Sequence, residues 1–149
     1  MKTFMRRRLL GEKGTAIIET AVTLPLLLLV AVGIFEFGRA YQTWQILTNA
    51  AREGARVAVL PNGITGGAEA RVRQYMDLGQ LPNASSASVS VTANTVDIGG
   101  GATASTSVVT VTYPFSFVVL QPIASLVVRG STVGSAVTLT ARAEMRNES

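Results

Sequence analysis

A chain of 149 residues, 48% apolar and only 15% charged, has room for one small domain beside any membrane segment. It holds 13 basic and 9 acidic residues, with no histidine and no cysteine. That excludes Ser-His-Asp and Cys-His nucleophile systems, the usual zinc sites, a CxxC redox pair and disulfide bracing. The net charge of +4 does not point to nucleic acid, because Lys2, Arg6, Arg7, Arg8 and Lys13 against Glu12 account for all of it within the first 14 residues. From Thr15 onward eight arginines oppose eight acidic residues.

Behind this basic leader comes TAIIETAVTLPLLLLVAVGIFEF, Thr15 to Phe37, without a charge between Glu19 and Glu36. Its 23 residues suffice for a helix to cross a hydrocarbon core of roughly 30 Å at ~1.5 Å per residue. The basic end belongs on the cytoplasmic side by the positive-inside rule, so whatever follows is exported. Three fates fit the leader. A secretory signal would be cut after the apolar core, where Gly38-Arg39-Ala40 is a poor A-x-A match. An uncleaved anchor would keep the leader, with Glu19 near the interface. A cut between Gly14 and Thr15 would make Thr15 the new N-terminus and Glu19 the fifth residue, as in a type IV prepilin. There the helix dipole and the new amine of a neighbouring subunit would offset the roughly 2 to 3 kcal/mol cost of an acid inside the membrane.

Pro25 frees the carbonyl of Ala21 and bends the helix slightly. Glu36 and Arg39 are spaced to pair on one face, and Tyr41 and Trp44 suit the outer interface. QILTNAAREGARVAVL continues the helical pattern to the stop at Pro61-Asn62-Gly63. Within it Ala50, Gly54 and Ala58 recur every four residues beside Ala51, Ala55 and Val59, a spacing that admits another backbone closely. Either a neighbouring stalk or the chain's own exported domain packs there, with Arg52, Glu53 and Arg56 on the solvated face.

The run AIIETAVTLPLLLLVAVGIFEFGRAYQTWQILTNAAREGARVAVL resembles the N-terminal signature of the TadE-like family, in its early acid, its LPLLLL run and its I-x-E-F-G-R-A and N-A-A-R-E-G-A-R segments. The resemblance implies a pseudopilin of the bacterial Tad (tight adherence) machinery. It implies cleavage by a prepilin peptidase at Gly14-Thr15, an assembly or insertion contact at Glu19, and a part in Flp pilus assembly, secretion and adherence. Partners would be the lipid bilayer, the peptidase and other pilin or pseudopilin subunits. Residence would be the inner membrane, single-pass, with the N-terminus cytoplasmic and the C-terminal domain periplasmic. Thr20 stands after Glu19 where major Flp pilins have Tyr, which implies a minor component.

Beyond the stalk, AEARVRQYMDLG reads as a short amphipathic helix behind Gly66-Gly67. Val72, Tyr75 and Met76 share one face, Glu69, Arg73 and Asp77 pair four apart on the other, and Gly79 is the stop. Period-two alternation then marks half-buried strands: Ser88 to Asn94 with Val89, Val91 and Ala93 inward; Ser107 to Tyr113 with Val109, Val111 and Tyr113; Ala136 to Met145 with Val137, Leu139, Ala141, Ala143 and Met145. Gly99-Gly100-Gly101 lacks the spacing and the lysine of a phosphate cradle and reads as a loop. Pro114 to Val128, PFSFVVLQPIASLVV, is too short and too interrupted by Pro122 to span a membrane. It reads as a core-covering loop or as a contact surface for a subunit or the membrane. Charge is scarce, with Asp97 the one charged residue between Leu78 and Val128, against about a quarter in a freely soluble domain. Asn83-Ala84-Ser85 matches a glycosylation sequon, which is a chance match in the bacterial chain that the resemblance implies.

The expected architecture is α+β: a leader over 1–14, a pilin-like helix over 15–60 (membrane part about 16–40, exported stalk about 41–60), and an exported domain over 61–149. That domain holds the short helix and an antiparallel sheet of three or four strands, one face covered by the stalk and the short helix. The scattered carboxylates Glu36, Glu53, Glu69, Asp77 and Asp97 have no acid–base spacing, so no enzyme activity, cofactor, metal or small-molecule substrate is expected. A bitopic protein with an exported binding or adhesin domain is the other reading.

Overall fold

In a computed structural model the chain is described over residues 5–61, 66–127 and 129–147, with 5–13, 126 and 127 described by backbone alone. The first four leader residues, Asn62 and Gly63 of the expected helix stop, and Val128 lie outside the described residues. The order is α1 (Met5–Ala58), α2 (Gly67–Leu78), a short 3-10 turn (Ala84–Ser86), β1 (Ser88–Gly99), β2 (Ala102–Phe115), α3 (Leu120–Val127) and β3 (Val137–Arg146). These are the long helix, short helix and small antiparallel sheet of an α+β fold.

The chain falls into two compact units. One contains α1 as far as Phe37 together with Val118–Val133; the other contains Gly38–Phe117 with the C-terminal segment from Gly134.

In the first unit α1 begins at Met5, so the described part of the leader continues the helix that was expected from Thr15. Pro25 lies inside it. The most apolar 18-residue window has no buried residue, and Ile17, Val22, Leu27, Ile34 and Phe35 are all exposed. A helix apolar on every side is stable only where something other than water surrounds it. The expected loop over Pro114 to Val128 is corrected: Pro114 and Phe115 complete β2, and Leu120–Val127 form α3. Pro122 does not break that helix because it falls in the first turn, where a missing N–H costs nothing. The first helical bond runs from Ile123 N–H to the Val119 carbonyl, 3.2 Å.

The second unit is a sheet in the order β1-β2-β3, antiparallel throughout. Val89 faces Val111 and Val91 faces Val109 on one side of the central strand, while Ala143 faces Val109 and Ala141 faces Val111 on the other. The alternating apolar residues thus share one face, and the core forms over it from Leu47, Ala50, Ala51 and Ala55 of α1 and Val72 and Met76 of α2. The opposite face carries Ser90, Thr92, Thr110, Thr112 and Thr140, the polar side of a one-sided sheet. β1 and β2 outrun the expected strands because the hairpin continues to Gly99, Gly100 and Gly101, all with positive φ (92°, 65° and 80°). The Gly99 amide donates to Asp97 Oδ1 at 2.8 Å, where the register shifts by a bulge.

α2 stops at Gly79 as expected, although not through a left-handed glycine. The left-handed residue after it is Gln80 (φ 55°), whereas Gly79 has φ −75°. The amide of Leu81 reaches back to the Met76 carbonyl at 3.2 Å, closing the helix end. Gly79 also provides space, since a Cβ there would lie 2.8 Å from Ile46 Cγ2.

Candidate membrane and packing surfaces

Gly14 and Thr15 lie within α1, and nothing approaches within 4 Å of where a Gly14 side chain would be. Glu19, one turn on, is exposed, and its backbone carbonyl accepts the Thr23 hydroxyl at 2.8 Å. Thr20 likewise donates to the Ala16 carbonyl at 2.8 Å. Both threonines thereby spend their hydroxyls on the helix backbone, which suits an apolar surrounding. Ala16, Ile17, Thr20, Ala21 and Leu24 line a shallow apolar hollow beside Glu19.

The carboxylate at the far end of the apolar run is handled differently. Glu36 is fully buried, and its Oε1 accepts the backbone amides of Val118 at 2.9 Å and Val119 at 2.6 Å. These amides stand at the head of α3, where no helical carbonyl can reach them. An anion there meets the positive end of the helix dipole, and two charge-assisted bonds replace its lost hydration. The chain separation of 82 and 83 residues kept this contact out of reach of motif reading.

Of the small-residue face, Ala50 and Gly54 are buried and Ala58 is half-buried. A Cβ on Gly54 would overlap Val72 Cγ2 and sit 3.3 Å from both the Ala68 carbonyl oxygen and Val109 Cγ1. The chain's own α2 and β2 pack against this face. Beside it Glu53 pairs with Arg71 at 3.1 Å and more loosely with Arg56 at 3.9 Å. Among the described residues the ion pair that α2 makes is therefore between elements, in place of the expected four-apart pairs along its own surface.

At the other end of the unit a cavity of about 320 Å³ is lined by Arg39, Thr43, Ile46, Gln80, Asn83 and Tyr113, among others. The Arg39 guanidinium lies 5.2 Å from the Phe115 ring centroid. Tyr113, whose hydroxyl donates to the Pro82 carbonyl, has its pKa pushed up by burial, with Arg39 opposing. On the polar face of the sheet Glu144 accepts from Thr106 Oγ1 (2.8 Å) and Asn94 Nδ2 (3.0 Å) and pairs with Arg142 (3.0 Å). The hydrogen bonds from Thr106 and Asn94, then the arginine, hold its carboxyl below the ordinary range. Sequence reading passed over this cluster because the cross-strand register assembles it, with no local spacing to reveal it. Among the described residues no group of three or more Asp or Glu side chains could hold a metal ion.

Against known proteins, residues 14–56 match the family model described as TadE-like protein. No curated protein and no solved structure matches the chain. The match starts at Gly14, covers the bare apolar helix and ends within the buried small-residue face. Over that length, residues 14–56, the chain carries the signature of the TadE-like family.

Proposed function

We propose that this protein is a non-enzymatic, membrane-anchored minor pseudopilin that takes part in Tad/Flp pilus assembly. The observation that carries the reading is the coincidence of the family match over residues 14–56 with a helix whose apolar residues are exposed on every side. In this reading α1 crosses the inner membrane with its basic end in the cytoplasm, and the sheet unit stands in the periplasm. A prepilin peptidase removes the leader at Gly14-Thr15. Glu19 then lies at the fifth position, where its charge is neutralised by the new amine of a neighbouring subunit during insertion into an assembly. The sheet unit, poor in charge and packed on its own stalk, is cargo and contact surface with no chemistry of its own.

A second reading, an uncleaved bitopic protein whose exported unit binds a ligand, draws support from the cavity at Arg39 and Tyr113. N-terminal sequencing of the protein from the membrane fraction separates the two. A start at Thr15 supports the pseudopilin, and an intact leader supports the anchor.

A further inference from the structure

α3 is apolar at six of its eight positions, yet it is far too short to cross a bilayer. Its two polar residues, Gln121 and Ser125, are four apart and both exposed, so they form one polar edge along the helix. Around that edge the surface is apolar: Val118 is 62% exposed, and Val119, Leu120, Ile123 and Ala124 are half-buried. No charged residue occurs from 98 to 128, and the first to follow is Arg129, just past the C-terminal end of α3. A basic residue there suits both the helix dipole and anionic lipid headgroups.

The height of this helix is fixed by Glu36. That residue is the first charge after the uncharged run of α1, so it marks the level at which that run ends, with exposed Phe37 just beyond it. Its carboxylate holds the amides of Val118 and Val119 directly, which places the head of α3 at that level within the same compact unit. The apolar surface of α3 therefore continues the bare apolar surface of α1 at its boundary, and both call for the same surroundings.

We infer that α3 is an interfacial helix, lying in the headgroup boundary of the leaflet where the apolar run of α1 ends and pinned there by Glu36. Its occupant is lipid: the apolar side rests on the acyl boundary, and Gln121 and Ser125 face the headgroups. Glu36 acts here as a positioning residue for a second membrane contact. The inference rests on the membrane-spanning reading of α1.

The chain has no cysteine, so single spin labels can be placed on the full-length protein in phosphatidylcholine/phosphatidylglycerol vesicles. Leu27→Cys reports the span, Ser125→Cys reports α3, and Thr92→Cys on the polar face of the sheet is the aqueous reference. Collision with oxygen and with a water-soluble nickel chelate measures depth, and doxyl-labelled lipid reports lipid contact. The expected result is a buried label at 27, an intermediate depth with lipid contact at 125, and a fully aqueous label at 92. Glu36→Ala should move the label at 125 to the accessibility seen at 92 and leave the label at 27 unchanged, and Glu36→Gln should do so in part. A label at 27 in lipid with the label at 125 as aqueous as that at 92 overturns the interfacial helix and leaves the span standing. A label at 125 shielded from both water and doxyl lipid also overturns it, in favour of a protein cover. An aqueous label at 27 removes the membrane reading and this inference together. The wild-type depth at 125 decides the matter even if the Glu36 variants fail to fold.

Discussion

Gly54 of α1 and Val72 of α2 touch so closely that a methyl group on the glycine would overlap Val72 Cγ2, with the Ala68 carbonyl and Val109 closing the same space. Within the sheet unit α1 and α2 are thus allowed to meet by one missing side chain. Helix propensity alone would favour alanine at position 54 by about 1 kcal/mol. Overpacking a dense core typically costs about 1 to 3 kcal/mol, and here the obstructing atoms include a stiff branched side chain and a backbone carbonyl. Gly54→Ala should therefore lower the thermal midpoint of the unit, and Gly54→Leu should lower it more. Val72→Ala combined with Gly54→Ala should lose less than the two single changes summed. Gly33→Ala, where nothing lies within 4 Å, is the matched control and should not lower the midpoint. Thermal melts followed by circular dichroism in mild detergent make the comparison.

Gly14 tests processing cleanly because the fold does not oppose a side chain there. Gly14→Asp should leave the helix and the sheet unit folded while blocking cleavage, so the unprocessed chain accumulates in the membrane. Glu19→Ala should leave cleavage intact and reduce incorporation into assemblies. Immunoblots of membrane and sheared-pilus fractions read both, and wild-type piliation in both variants would count against the pseudopilin reading.

Tyr113 is buried and its hydroxyl donates to the Pro82 carbonyl, next to the left-handed Asn83. Tyr113→Phe removes the donor and leaves that carbonyl without this partner. The expected loss is about 1 kcal/mol, read as a lower urea midpoint with an unchanged slope.

Glu144 should make part of the fold acid-sensitive. Its folded-state pKa is lowered, chiefly by hydrogen bonds from Thr106 and Asn94. A depressed carboxylate pKa contributes stability that is present above the unfolded value near ~4.3 and is lost as pH falls through the folded value. Urea midpoints measured from pH 7 downward should therefore fall less steeply for Glu144→Gln than for the wild type below about pH 4.3. Thr106→Val should raise the Glu144 pKa toward its ordinary value, as read by side-chain carboxyl NMR.

The sheet was legible in the sequence because its register brings Val89, Val91, Val109, Val111, Ala141 and Ala143 onto one face, and period-two alternation is the imprint of that geometry. The hairpin end was not, because Thr95, Val96 and Ile98 are exposed together and leave no alternation to read. α3 was hidden by Pro122, which looks like an interruption until its place in the first turn is known. Residues that act across the fold left no spacing at all: Glu36 reaches Val118 and Val119 over more than 80 positions. Glu144 meets Thr106 and Asn94 only through strand pairing. The long apolar helix and the small-residue face were plain because helical period and length are local properties.

Topology in cells is the most direct test of the proposal that α1 spans the membrane with the sheet unit exported. With Thr92→Cys in the otherwise cysteine-free chain, a membrane-impermeant maleimide should label the protein in cells whose outer membrane alone is opened. The labelled protein should also remain in the membrane after carbonate washing. Labelling only after lysis of the inner membrane, with the protein recovered in the soluble cytoplasmic fraction, would contradict it.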